Sequence, residues 1–310
     1  MRKVIVTGGA GFIGSNLTDK LLERDYQVII IDNFSTGRLD NIKRLIDQRK
    51  VEIIRGSVVN LPLLQKVFSG AEYIFHQAAI PSVPRSIKNP RASHNINITG
   101  TLNVLLAARD NGVKKVVYAS SSAVYGDSPV LPKNEKMIPN PLSPYAITKL
   151  AGEYYCKVFQ EIFGLETICL RYFNVYGPRQ DPNSQYAAVI PKFITRILSG
   201  QPPIIFGDGE QSRDFTFVQD VAEANILAAE SQATGIFNIG RSERVTLNHL
   251  ARIVIKLVGY SGIQPVYRKP RSGDIKHSLA DITKAKTFGY HPQHSLEKGL
   301  YETIKALQVR

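Results

Sequence analysis

The chain has 310 residues, enough for one large domain or two closely joined ones, and its 43% hydrophobic content without low-complexity runs excludes a disordered or fibrous protein. A formal net charge of +13 is scattered in short clusters such as those at 114–115 and 268–271, with few aromatics between them, so it reads as solvated surface and argues against nucleic acid as partner. No apolar run is long enough to cross a bilayer, the chain opens directly on KVIVTG with no leader pattern, and Cys156 and Cys169 fit neither a Cys-x-x-Cys nor a metal spacing. A cytoplasmic protein with reduced thiols, no metal and no membrane contact is expected.

In chain order, β-branched runs alternate with helical patterns. KVIVTG is followed by a helix over 12–25; QVIIID by a loop; VEIIRG by a helix over 61–69; AEYIFHQAA by one through 97–110; KKVVYAS by one over 144–163; then comes ETICLRYFN. Apolar strands separated by helices predict a parallel sheet covered on both faces, an α/β Rossmann-type doubly wound fold with its ligand beyond the carboxyl ends of the strands. After residue 174 the pattern breaks into Pro- and Gly-rich loops with shorter helices, and GIFNIG reads as a return to the sheet edge. The expected organisation is a Rossmann domain of 1–173 plus 214–241, capped by a smaller, discontinuous α/β lobe of 174–213 plus 242–310.

Three features point to chemistry. Gly8, Gly11 and Gly14 follow the first strand and open a helix, a spacing that lets the backbone approach a pyrophosphate at a helix N-terminus. Asp32 ends the second strand, where a carboxylate accepts from both ribose hydroxyls and repels a 2′-phosphate, favouring NAD over NADP. In LSPYAITKL, Ser143 is a good N-cap and Pro144 a good first residue, so Tyr145 and Lys149 stack on one helical face. Ile147, Leu150, Ala151, Tyr154, Val158 and Ile162 form the stripe expected to be buried. With Ser121 at the end of the fifth strand, a hydroxyl, a phenol and an ammonium are expected to share a cleft. A neighbouring ammonium and a cationic nicotinamide would lower the phenol toward working pH, making it an acid and base.

Together Gly8 to Gly14, Asp32, Ser121, Tyr145 and Lys149 resemble the extended short-chain dehydrogenase/reductase family. RYFNVYGPRQDP, SRDFTFVQDVAEA and RSGDIKHSLADITKA narrow the resemblance to its UDP-sugar 4-epimerases, across essentially the whole chain. It implies a bound NAD, a UDP-sugar substrate, and catalysis by Ser121, Tyr145 and Lys149 through a transient 4-keto sugar. It also implies cofactor contacts at Phe12, Ile13, Asn33, Ser35, Gly37, Gly56, Ser57, Gln77, Ala78, Ala79, Asn97 and Tyr172. Substrate contacts are implied at Ser82, Ser122, Asn174, Ala188, Val189, Arg213, Arg271 and Asp274, with Ile204 and Phe206 sandwiching the uracil.

Two positions depart from the pattern: Ser57 stands where an aspartate commonly reads adenine, and Pro81 where a glycine is common. Relatives that dehydrate the sugar carry an acidic pair after the strand-five hydroxyl; here Ser121, Ser122 and Ala123 lack a carboxylate, which disfavours dehydration. The resemblance makes Ser278 the gate beside the sugar C2 substituent. A serine in place of a bulky tyrosine leaves room for an N-acetyl group, so UDP-N-acetylglucosamine and UDP-N-acetylgalactosamine are the expected pair, with UDP-glucose and UDP-galactose left open. A UDP-glucuronate 4-epimerase, a nucleotide-sugar 4-ketoreductase and a non-catalytic NAD-binding regulator are the alternatives. The two helices at 97–112 and 144–163 are apolar on more than one side, and relatives dimerise through them, so a homodimer is expected.

Overall fold

The computed structural model describes residues 2–182, 188–260, 262–270 and 276–308. Its centre is a seven-stranded parallel sheet of β1 (Lys3–Thr7), β2 (Gln27–Asp32), β3 (Val51–Arg55), β4 (Tyr73–His76), β5 (Lys115–Ser121), β6 (Glu166–Tyr172) and an edge strand, Gly235–Ile239. From the edge strand the order is β6, β5, β4, β1, β2, β3, so the winding reverses between β1 and β4. That switch point opens a crevice at the strands' carboxyl ends. GIFNIG thus does return to the sheet, paired with β6 from Gly235↔Ile168 to Ile239↔Tyr172.

Alternate residues of each strand feed opposite faces, as the pleat requires. Val4, Val6, Val28, Ile30, Phe75 and Val117 pack with Leu17 and Val221 of the helices Phe12–Leu22 and Val218–Glu230. Ile5, Ile29, Ile31, Ile74 and Val116 pack on the other side with Leu64, Val104, Cys156 and Phe159 of the helices Leu61–Val67, Gly100–Asp110 and Pro144–Phe163. A third core gathers Ile190, Phe193, Ile197, Ile205, Phe215, Leu250, Val254 and Leu300, beside the crevice and touching Phe12 and Ile13. Its helices Val189–Leu198, Leu247–Val258 and Leu296–Gln308 are joined by strand pairs only two or three residues long. Among the described residues no helix is long and apolar enough to cross a membrane.

Three expectations about helices need correction. The first helix stops at Leu22, because Arg24 and Tyr26 both turn back to the Leu21 carbonyl and Asp25 takes φ 58°. The expected helix over 97–110 begins instead with a π turn, Asn95–Thr99, before Gly100–Asp110. Most consequential is Pro144–Phe163, where most of the supposed buried stripe faces outward: Ile147, Tyr154, Val158 and Ile162 are 52%, 57%, 41% and 68% exposed, while Leu150 and Ala151 are half-buried and Leu150 packs on the core. Its buried face carries Ala146, Thr148, Lys149, Gly152, Glu153, Cys156 and Phe159 instead. Small and polar residues lie inward because the helix sits close on the sheet; a Cβ on Gly152 would fall 2.2 Å from the Tyr118 hydroxyl.

Candidate active site

At the β1 end, Gly8 turns with φ 70° and donates to the Ile31 carbonyl at 2.7 Å, while Gly11 donates back to Gly8 at 3.0 Å. Side chains are excluded from this turn: a Cβ on Gly8 would lie 2.8 Å from Ala78, and one on Gly14 2.3 Å from the Gly8 oxygen. The helix Phe12–Leu22 therefore starts against bare backbone, a cradle for a diphosphate. Asp32 is buried, its two oxygens accepting from Ala10 N (2.9 Å) and Phe34 N (2.8 Å), and Gly37 lies against both. Burial pushes its carboxyl up, and those two backbone bonds oppose the shift.

Around this turn runs a groove of 640 Å³ lined by Gly8, Gly11, Phe12, Ile13, Gly14, Asp32, Asn33, Ser35, Gly37, Gly56, Ser57, Gln77, Ala78, Ala79, Ser82, Tyr145, Lys149 and Tyr172. It gathers every residue expected on the cofactor except Asn97, and its size and bare glycine cradle suit a dinucleotide. Asn97 lies beneath instead, in the π turn, accepting from Ile80 N (2.8 Å) and donating to Thr148 on the Pro144–Phe163 helix (3.0 Å). Ser82 lines this groove and is committed to capping the helix Val83–Lys88 through Arg85 N at 3.2 Å.

Ser143 caps the Pro144–Phe163 helix by accepting from Ala146 N at 3.1 Å, and Tyr145 N is held by Ser86 Oγ at 3.0 Å. The Tyr145 hydroxyl and the Ser121 side chain line the same chamber; burial raises this phenol, and the neighbouring Ser121 hydroxyl pulls the other way. Lys149 Nζ donates to the Ala119 carbonyl at 2.7 Å and sits 5.9 Å from the Tyr145 ring centroid. Burial brings this ammonium down to about 8, and the Glu153 charge resists the fall. The expected lowering of the phenol is therefore absent in the chain by itself. Lys149 is desolvated and engaged elsewhere, so burial sets the direction.

Beyond Tyr145 lies a chamber of 310 Å³ bounded by Pro81, Ser121, Ser122, Ala123, Lys133, Tyr172, Asn174, Arg213, His277 and Ser278. It opens through Asn174 and Arg213 into a cavity of 290 Å³ whose walls include Ala188, Val189, Ile204 and Phe206. Asn174 adopts φ 26° and donates to the Asp214 carbonyl at 3.2 Å, which fixes it at this junction. Arg271 and Asp274 lie outside the described residues.

Two contributors were not singled out by the sequence. Asn225 accepts from Tyr172 OH (3.0 Å) and Gln77 Nε2 (2.9 Å), holding the groove's rear wall from a helix far along the chain. Asp214 is fully buried, takes backbone bonds from Ala280, Arg241 and Ser242 at 2.8–3.0 Å, and is pushed up to about 6 by that burial. It staples the loop bearing Ser278 beside Arg213. Its only cue was its place in SRDF.

The profile of the NAD dependent epimerase/dehydratase family matches residues 4–240. A putative UDP-glucose 4-epimerase of Methanocaldococcus jannaschii is 42% identical over 303 residues, 97% of each chain. The UDP-N-acetylglucosamine 4-epimerase of Methanobrevibacter ruminantium M1, solved with UDP-N-acetylmuramic acid, superposes with a TM-score of 0.96 at 44% identity, over 99% of this chain and 98% of that one. The UDP-glucose 4-epimerase of Thermotoga maritima, solved with UDP-glucose, gives 0.94 at 41% identity over 99% of both.

Proposed function

The chain belongs to the NAD-dependent epimerase/dehydratase family, among its UDP-sugar 4-epimerases, and on that premise we propose that it interconverts UDP-N-acetylglucosamine and UDP-N-acetylgalactosamine through a transient 4-keto sugar. The observation carrying the choice of sugar is Ser278, a small side chain on the wall of the chamber that Tyr145 and Ser121 also line. A small residue admits an N-acetyl group and equally admits its absence, so the glucose and galactose pair belongs to the proposal as a second substrate.

NAD, held by the glycine cradle, Asp32 and the walls of the groove, would supply the hydride acceptor and donor. The chain's own part is proton transfer and positioning. Tyr145 takes the proton of the sugar 4-hydroxyl and later returns it, Ser121 holds the oxygen beside it, and Lys149 supplies positive charge one helical turn away. An oxidised nicotinamide would bring the further positive charge that the buried phenol lacks in the chain alone. Asn174 and Arg213 stand where a diphosphate would bridge the chamber and the neighbouring cavity, and a guanidinium fork matches phosphate oxygens. The apolar walls at Ile204 and Phe206 would take the uracil.

Purified protein incubated with UDP-N-acetylglucosamine and no added cofactor is expected to generate UDP-N-acetylgalactosamine, seen by NMR. No conversion even with added NAD removes this reading. One observation favours a second: the described walls of the chamber carry Lys133, Arg213 and His277 and no carboxylate, which suits an acidic sugar. Turnover of UDP-glucuronate in place of the acetylated pair would establish it.

A homodimer belongs to the same proposal. Ile147, Tyr154, Val158 and Ile162 follow one another on a single helical face that the other described residues leave exposed, an apolar strip of the kind that marks an interface. Arg109, from the helix Gly100–Asp110, lies over the Phe163 ring at 4.9 Å and ties the two helices into one surface. Wild type should sediment as a dimer and Val158→Asp/Ile162→Asp as a monomer. A monomeric wild type at micromolar concentration would remove the proposal.

A further inference from the structure

The catalytic helix carries a third polar residue in line with Tyr145 and Lys149. Glu153 is one further turn along, and its carboxylate is the centre of a buried network. Arg171 of β6 grips it with two bonds, Nε to Oε1 at 2.8 Å and Nη2 to Oε2 at 2.7 Å. Ser120 of β5 donates to Oε1 at 2.5 Å. Both ionic side chains are only 2% exposed, so the pair is enclosed by protein. The last three residues of β5 thus each engage one member of the helix's polar row. Ala119 O receives Lys149, Ser120 binds Glu153, and Ser121 lines the chamber with Tyr145.

We propose that Glu153 is a positioning residue for the acid–base pair: gripped by Arg171 and Ser120, its carboxylate holds the helix in register on β5 and supplies the negative charge that keeps Lys149 protonated. The inference rests on Tyr145 and Lys149 being that pair. Burial strips a lysine of hydration and favours its neutral form, so a buried ammonium needs a compensating anion. The ionisable groups around Lys149 are few. Among the described residues Tyr145 shares its helix, His76 faces it from β4 and Tyr118 from β5, and Tyr172 of β6 lines the groove with it, while Arg171, Cys169 and Cys156 gather around Glu153. His76 stays neutral, lowered to about 3 by burial and by Lys149 itself, and it is held between Thr7 and Thr101 at 2.8 and 3.0 Å. Among the described residues Glu153 is the carboxylate that acts on Lys149.

The sign follows directly. Removing the anion makes Lys149 lose its proton more readily, so the high-pH loss of activity must begin at lower pH. In Glu153→Gln the alkaline limb of the kcat–pH profile is expected to move down by about one pH unit. KM for the UDP-sugar should change by less than about threefold, because the uridine and diphosphate contacts lie elsewhere. Glu153→Asp retains the charge and should restore the limb even where a shorter reach lowers kcat. Should Glu153→Gln fail to fold because Arg171 is left buried without its anion, Glu153→Gln/Arg171→Gln removes both charges and should show a smaller downward displacement, because the lost guanidinium charge offsets part of the lost anion's. Melting temperatures and retained NAD, measured on each variant, separate misfolding from mispositioning. A folded variant whose limb stays at the wild-type position overturns the inference, whatever its kcat. A wild type silent on every UDP-sugar overturns the proposed function and this inference together, whereas an active wild type with an unmoved limb overturns this inference alone.

Discussion

Tyr145→Phe is expected to lower epimerase turnover by about 10²–10⁴-fold, the usual contribution of a positioned general acid–base group, while leaving the fold and the retained cofactor in place. The separation of effects follows from how the residue is held. Its backbone N–H is bound by Ser86 Oγ, and the helix start is capped by Ser143; neither bond involves the phenol oxygen. The hydroxyl shares the chamber with Ser121, whose Oγ is held by Ala123 N at 3.2 Å. Deleting it therefore strands no buried donor and costs about 1 kcal/mol or less of stability. Turnover is measured by NMR on the UDP-sugar that wild type accepts, and NAD content by denaturing the protein and measuring the nucleotide released. Turnover within tenfold of wild type would show that the proton goes to a different group.

How far such expectations can be drawn from sequence depends on how local the signal is. The strands were legible because Val4 to Val6 or Ile29 to Ile31 carry their apolar character in consecutive residues, and the glycine cradle because Gly8, Gly11 and Gly14 act within one turn. Tyr145 and Lys149 were legible for the same reason, as two residues one turn apart behind an evident cap. What pairs over long separations was not. Asn225 reaches Gln77 across 148 positions, and Asp214 gathers backbone groups at 241, 242 and 280. Asn225 has no pattern in its own neighbourhood, and SRDF does not reveal which distant groups Asp214 gathers. The third core was blurred because its strands are two or three residues long, too short for a period of two to register. The outward stripe of the Pro144–Phe163 helix was misassigned for another reason. Periodicity identifies an apolar face but not what covers it, and here the sheet takes the side that offers Gly152 and Ala146 for close approach.

Ser278→Tyr should split the two substrate pairs. Ser278 is 9% exposed, and its backbone is pinned on both sides. Its N–H donates to the Ser212 carbonyl at 3.0 Å, and two residues on Ala280 N binds the Asp214 carboxylate at 3.0 Å. The Lys133 carbonyl receives Asp281 N at 2.8 Å, and Lys133 N donates to Leu279 O at 2.8 Å, so this segment cannot swing away to admit a larger side chain. A phenol ring grown from that position has to enter the 310 Å³ chamber shared with Tyr145, Ser121 and Ser122. Filling a pocket discriminates through steric conflict, which rejects a larger substrate far more strongly than an open pocket rejects a smaller one. For UDP-N-acetylglucosamine, kcat/KM is expected to fall by about 10² or more, and for UDP-glucose by only a few-fold, each measured against the wild type with the same substrate. Crowding the segment is expected to destabilise the fold by about 1–3 kcal/mol, so both assays belong well below the variant's melting temperature. Equal losses on the two substrates would mean that the ring disturbs the acid–base pair rather than the C2 position. Undiminished turnover of the acetylated sugar would show that C2 is read by some other wall of the chamber, and the argument from Ser278 to an N-acetyl substrate would fall with it.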